Sequence, residues 1–291
     1  MLPDGGARYC PAVADRLRGL RRYWNASRRP AGYDAEPLSY PGDGDQFYDD
    51  NAWIGLELVT VSRRFGDAKA LARAQQLFSL LAAGWDRSPT HPCPGGLFWA
   101  RTTPVRDRNT VSTANAAQLG AQLYAQTANR HYLRWAAVMY GWVRRCLTAP
   151  NGLFWDHIDA RGNVDQRQWS YNQGAMIGAA VLLYRATQDP AYLVQAESFA
   201  DAAVASYWPF ETSSEPPYFL AIFFQDLALL EALEPTSGFD EPIRAYADSV
   251  WIHSRDPATG LFHFGGSRRV QLLEQAAMVR VYAGLAAGPQ G

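Results

Sequence analysis

Two consecutive aspartates, Asp49 and Asp50, stand in the run Gln46-Phe47-Tyr48-Asp49-Asp50-Asn51-Ala52-Trp53, with aromatic residues on both sides. Breaking a glycosidic bond calls for such a pair. One carboxylic acid protonates the leaving oxygen, and one carboxylate acts as nucleophile or activates water. On a regular helix, adjacent side chains diverge by roughly 100°, too far to serve one cleft. At a helix entrance, where the first residue is not yet helical, they converge. The positive end of the helix dipole then keeps one of them ionised. The charge of that neighbour, and burial against Tyr48 or Trp53, raise the pKa of the other. An aspartate before an apolar helix is also an ordinary N-cap, worth ~1 kcal/mol. The pair by itself does not assign chemistry.

The elements that must position these residues are written in a repeat. Gly-Leu-Phe-Trp occurs at Gly96–Trp99 and Gly152–Trp155, with a variant Gly260-Leu261-Phe262-His263. A second pattern, Asp or Asn followed by Leu and then Ala at fixed spacing, gives Asp67, Leu71, Ala74, then Asn129, Leu133, Ala136, then Asp189, Leu193, Ala196. Between these markers the apolar residues follow the helical period. The pattern predicts helices over 11–26, 50–65, 67–84, 110–128, 130–147, 170–187, 190–206, 217–233, 239–253 and 270–286. Such hairpins cannot bury both apolar faces alone, so they stack into a solenoid or close into a ring. A ring gathers the glycine-led loops around one mouth and needs no capping repeats, which favours an α/α toroid of five clear hairpins in one domain spanning 1–291.

Composition narrows the partners. With 27 basic and 28 acidic residues the formal charge is -1, so nothing global draws the chain to nucleic acid. A local cluster, Arg16, Arg18, Arg21, Arg22, Arg28 and Arg29, suits either a phosphate or a solvated helix face. No apolar run reaches membrane-spanning length. The sequence has 10 Trp and 15 Tyr, and their rings suit the C–H faces of sugars as well as a helical core. Cys10, Cys93 and Cys146 are odd in number without CxxC spacing, so free thiols are expected. His91, His131, His157, His253 and His263 form no ligand motif, so neither metal nor cofactor is expected. Every basic residue except Lys69 is arginine, as a GC-rich bacterial genome would give.

Taken together, these motifs resemble the α-1,6-mannanase family of glycoside hydrolases, family 76. The resemblance rests on Tyr48-Asp49-Asp50-Asn51-Ala52-Trp53, Gly95-Gly96-Leu97-Phe98-Trp99, Ala114-Asn115, and Tyr171-Asn172-Gln173-Gly174 running on to Tyr184-Arg185-Ala186-Thr187. They stand in order over about residues 45–285. The resemblance implies an (α/α)6-type barrel and endo-hydrolysis of α-1,6-linked mannose with retention, Asp49 being the nucleophile and Asp50 the general acid/base. Among the matched positions, Asn115, Tyr171, Asn172 and Gln173 suit sugar hydroxyls or inter-helix bonding. Asp156 suits a sugar hydroxyl or a loop cap. Tyr48, Trp53, Trp99 and Trp155 suit stacking or core packing.

The chain also departs from the family pattern. Members carry a further hairpin before the aspartates and are secreted. Here five hairpins stand where six are expected, and no signal peptide is visible. Read as written, the chain is cytoplasmic; it is secreted if its start is internal to a longer product. An open ring would expose apolar inner-helix surface and favour a homodimer. It would also suit a catalytically impaired carbohydrate-binding or scaffold protein, the alternative to a mannan hydrolase.

Overall fold

The computed structural model describes residues 6–39, 44–102, 106–210, 214–235, 238–266 and 269–288, with the side chains of 6–10 left out. Ten helices carry the architecture among them: α1 Gly6–Leu20, α2 Tyr48–Phe65, α3 Ala68–Ala83, α4 Thr110–Thr127, α5 Arg130–Cys146, α6 Ser170–Thr187, α7 Pro190–Tyr207, α8 Pro217–Glu231, α9 Asp240–His253 and α10 Leu272–Ala287. Nine of these follow the predicted spans within two residues at each end. The exception is α1, which stops at Leu20, after which Arg21–Tyr23 forms a 3-10 turn. Asn25 ends the run: its side-chain oxygen accepts from the Ser27 N–H at 3.1 Å, a local bond that competes with helix. Strand β1 (Trp24–Asn25) then pairs antiparallel with β2 (Gly32–Tyr33).

The repeat markers explain the layers. Asp67, Asn129 and Asp189 are N-caps whose side chains accept from Lys69 and Ala70, His131, and Ala191 N–H groups. They start α3, α5 and α7, the outer helices. Ala74, Ala136 and Ala196, two turns on, are fully buried against the inner layer. That layer is α2, α4, α6, α8 and α10, each packed on the next. Helices α4 and α6 are buried nearly all round, as elements with neighbours on both sides must be. The chain is thus a toroid of α/α hairpins in which an outer helix leads through a mouth loop to an inner one. The run of inner helices is joined back across α10 and α2 by Arg280 Nη2 to Glu57 Oε1 at 2.7 Å.

Before four of the five inner helices, the mouth loop is tied to the helix that follows it at that helix's fourth residue. In α2, Asn51 accepts from the Tyr33 N–H at 2.8 Å and donates to its carbonyl at 3.0 Å. In α4, Thr113 Oγ1 accepts from Leu97 N–H at 3.0 Å. In α6, Gln173 accepts from Phe154 N–H and donates to Phe154 carbonyl, at 2.8 and 3.0 Å. In α10, Gln275 does the same for Phe262, at 2.9 and 2.8 Å. A side-chain amide, or in α4 a hydroxyl, here replaces the strand partner that these buried backbone groups lack. Gly95 and Gly96, with φ of +107° and +86°, let the first loop lie directly on the buried Trp142 ring, where a Cβ would clash.

The expectation of free thiols is corrected for two of the three cysteines. Cys93 and Cys146 form a disulfide with Cα atoms 6.1 Å apart, joining the α3–α4 loop to the end of α5. The partners are 53 residues apart, so local spacing carries no trace of the bond. The Cys10 side chain lies outside the described residues.

Candidate active site

Asp49 and Asp50 occupy the first turn of α2, with Phe47 as the extended N-cap. Tyr48 N–H donates to the Trp99 carbonyl at 2.9 Å, so the helix start is fastened to the Gly-Leu-Phe-Trp loop of the next hairpin. Asp49 is buried and its Oδ1 has no hydrogen-bond partner among the described residues. Burial, and then the charge of Asp50, push its carboxyl up to about 7; backbone N–H groups and the Trp99 side chain pull the other way. Asp50 is solvent-exposed at the mouth, and partial desolvation raises its pKa too. Asp49 is thus the strongly raised member of the pair that the sequence reading called for, and Asp50 is displaced in the same direction. Two like charges in one desolvated corner titrate as a unit and keep a proton between them toward neutral pH.

The opposite wall is built by β3 (Arg108–Asn109), β4 (His157–Ile158) and β5 (Val164–Asp165), a three-stranded antiparallel sheet, and by the start of α6. Asp156 is buried there, with Oδ1 accepting from Asn172 Nδ2 at 3.0 Å and Tyr171 OH at 3.5 Å. Its Oδ2 meets His157 Nδ1 at 2.9 Å. The Tyr171 ring stands edge-on to Phe219 at 4.5 Å. Burial raises its phenol pKa, and the charges of Asp156, Asp49 and Glu215 add to that. Tyr171 is therefore the residue that joins the two walls.

Glu215 extends the mouth toward α8. Its carboxylate accepts from Ser170 N–H at 3.1 Å and from the Ser170 hydroxyl, capping α6, and burial raises its pKa. From Glu215 a groove of about 1270 Å³ continues past His253, Arg255 and His263 to Glu274. One turn below the aspartates, Trp53 and Asn115 line a separate cavity of about 220 Å³ with Gln118 and Asp226. Asn115 Nδ2, Ser112 Oγ, Asn109 Oδ1 and Asn172 Oδ1 are buried without partners among the described residues. Native proteins leave few such atoms unpaired.

Three of the expected substrate-binding residues have other occupations. Gln173 is consumed by Phe154 and by the Trp169 carbonyl, so it clamps a loop and offers nothing to a sugar. Tyr48 is buried with its ring wedged over Gly84, out of reach of any stacking partner. Asn172 is fully buried and spends its donor on Asp156, so it holds Asp156 in place. Trp99 stays 40% exposed, tilted on Phe47 at 4.8 Å, and keeps a free face. Trp155 is half-buried, its carbonyl taken by Thr110 Oγ1 at 2.6 Å.

Sequence reasoning passed over His157, Glu215 and Asp226. The signal for Asp226 was present: it is a lone acid inside the apolar run Phe219 to Leu230. It is buried against Gln118 Nε2 at 3.1 Å, and burial pushes its carboxyl up to about 8. Arg108, fully buried, was also passed over. It pairs with Asp86 at 3.2 Å and donates to the carbonyls of Pro92, Cys93 and Asp159, pinning the loops that frame the mouth.

A ring of α/α hairpins with a carboxylate pair at the start of an inner helix defines a class of carbohydrate-active protein. Within it, the model for Glycosyl hydrolase family 76 matches residues 23–258, and the chain belongs to that family. The mannan endo-1,6-alpha-mannosidase DCW1 of Saccharomyces cerevisiae is 28% identical over 188 residues, 60% of this chain and 41% of its own. A family 76 glycoside hydrolase from a bovine Bacteroides thetaiotaomicron strain is 25% identical with a TM-score of 0.86, over 98% of this chain and 64% of that one. An inactive variant of the Salegentibacter sp. HEL1_6 α-1,6-mannanase, with two consecutive aspartates changed to alanine and α-1,6-mannotetrose bound, is 25% identical with a TM-score of 0.79, over 98% and 84% of the two chains. The chain spans about two fifths of the length of the curated relatives it matches.

Proposed function

We propose that this chain hydrolyses α-1,6-mannosidic bonds within a mannan or mannosylated glycan, with retention at the anomeric carbon. The observation that carries the reading is the Asp49–Asp50 pair, one acid buried and one exposed, sharing a proton beside Trp99. Asp49 attacks the anomeric carbon while Asp50 gives its proton to the departing oxygen. Asp50 then takes a proton from the water that releases the glycosyl-enzyme. Asp156, fixed by Asn172 and Tyr171, accepts from a sugar hydroxyl, and Trp99 offers a stacking face. The groove between α8 and α10 gives a polymer room to continue past the cleavage point, which supports endo action. The sequence of a degenerate binding protein would need neither acid, so the impaired alternative is not favoured.

Asp49→Asn and Asp50→Asn are each expected to lower the release of reducing ends from α-1,6-mannan by at least on the order of 1000-fold, with thermal unfolding intact. Wild-type rates in either variant would remove the pair from the mechanism. The Cys93–Cys146 disulfide supports an oxidising compartment, hence an exported protein. A bacterial source rests on the preponderance of arginine. A homodimer rests on the exposed Leu272, Leu273 and Val279 of α10, and sedimentation of the purified chain tests it.

A further inference from the structure

The mouth contains a hydrogen-bonded chain that the carboxylate pair does not account for. His157 sits in the central strand of the small sheet, opposite Asn109 on β3 and Asp165 on β5. Its Nδ1 meets Asp156 Oδ2 at 2.9 Å and its Nε2 faces Asp107 Oδ2 at 3.5 Å. Asp156 in turn carries Asn172 and Tyr171 on its other oxygen. The imidazole thus lies between two carboxylates, the more open Asp107 and the more buried Asp156.

Resting on the reading of the site given above, we propose that His157 is a positioning residue, an imidazolium that fixes Asp156 as acceptor for a hydroxyl of the substrate. The charges around it are consistent with that role. Asp107 faces it from the segment before β3, Asp156 from the position just before β4 and Asp165 from β5. The bond to Asp156 comes first among the causes that raise its pKa, with the three carboxylates adding to it against desolvation. Asp107 is itself raised by desolvation. Arg167 takes both oxygens of Asp165, which leaves Asp107 and Asp156 to share the single charge of His157. Asp156, His157 and Asp165 also lie close enough to hold a cation. The 2.9 Å contact between His157 Nδ1 and Asp156 Oδ2 has the length of a hydrogen bond, and addition of a chelator separates the two readings.

A carboxylate that binds a hydroxyl in both ground and transition states contributes to KM before kcat. Replacing His157 therefore acts on affinity. The test compares wild type, His157→Leu and His157→Asn on α-1,6-mannan, with the titration of the imidazole followed by NMR in wild type and in Asp156→Asn. His157→Leu is expected to raise KM on the order of 10-fold, the value of one charge-assisted hydrogen bond, with a much smaller change in kcat. His157→Asn, which keeps a donor at the Nδ1 position without the charge, recovers part of that loss. In wild type, KM rises with pH as the imidazolium loses its proton, at a pH above the ordinary histidine range. That dependence is absent in both variants.

Asp156→Asn returns the imidazole toward its ordinary pKa, a readout that needs no turnover. An unchanged KM in His157→Leu overturns the proposal, as does an imidazole pKa indifferent to Asp156→Asn. If His157→Leu fails to fold, His157→Asn carries the same comparison. Loss of activity on adding a chelator assigns the cluster to a metal and overturns it as well. A wild-type chain that folds, shows the coupled titration and leaves mannan intact would refute the assigned reaction and not the hydrogen-bond chain.

Discussion

At the scale of single residues, the protein places two acids where burial works against their charge. Asp49 is raised to about 7 and Asp226 to about 8, but only Asp49 faces the mouth. For both, the folded state binds a proton more tightly than the unfolded chain. Stability is therefore highest below the ordinary aspartate range and falls as pH rises through each folded pKa. Asp226→Asn keeps the Gln118 contact and removes that cost. It is expected to unfold at higher temperature than wild type at pH 9, by on the order of a few kcal/mol, with the two curves converging near pH 4. Wild-type behaviour across that range would mean the carboxyl stays ionised inside the ring. The site's residue types were readable because chemistry restricts them: few residues do the work of Asp49 and Asp50. Which partner would be buried was not, since the wall that covers Asp49 comes from Trp99, half a hundred residues on.

At the scale of elements, caps and periodicity located the helices because both are local. Asp67, Asn129 and Asp189 do what their spacing foretold. On its sequence Gln173 suits a sugar hydroxyl or an inter-helix bond; the bonds it makes depend on where Phe154 lies, which no local pattern states. Gln173→Leu is expected to destabilise the protein by about 2–4 kcal/mol, since both backbone groups of Phe154 lose their partner in the interior. A smaller cost by denaturant titration would show that the loop finds other bonds. The disulfide was hidden for the same reason, its halves belonging to different hairpins. Closing 53 residues, it contributes about 4 kcal/mol in the chain-entropy picture. Cys146→Ser should lose a comparable amount, and reduction of the native protein should reproduce that loss.

At the scale of the whole molecule, the choice of ring over solenoid followed from the small number of repeats and from loops that had to share one end. How the ring meets itself was not in the pattern. The Arg280–Glu57 contact spanning α10 and α2 is half exposed at both ends, 41% and 55%, and such pairs add about 0–1 kcal/mol. Arg280→Ala is therefore expected to leave the unfolding midpoint within that small range. A loss several times larger would make this contact a structural closure. The cavity of about 220 Å³ beside it has Leu17 and Leu20 of α1 on one side.

The fourth-residue clamp carries a consequence for how the mouth can vary. Four inner helices present Asn51, Thr113, Gln173 or Gln275 to a preceding backbone, whereas α8 has Leu220 at that place and its approach is fastened sideways, through Glu215, to α6. A connection transplanted from one clamped hairpin to another should seat without retuning the receiving helix, because the fastening is the same at each socket. The stretch leading into α8 has no such socket, so its length and composition are open to change wherever Ser170 and Glu215 are kept together.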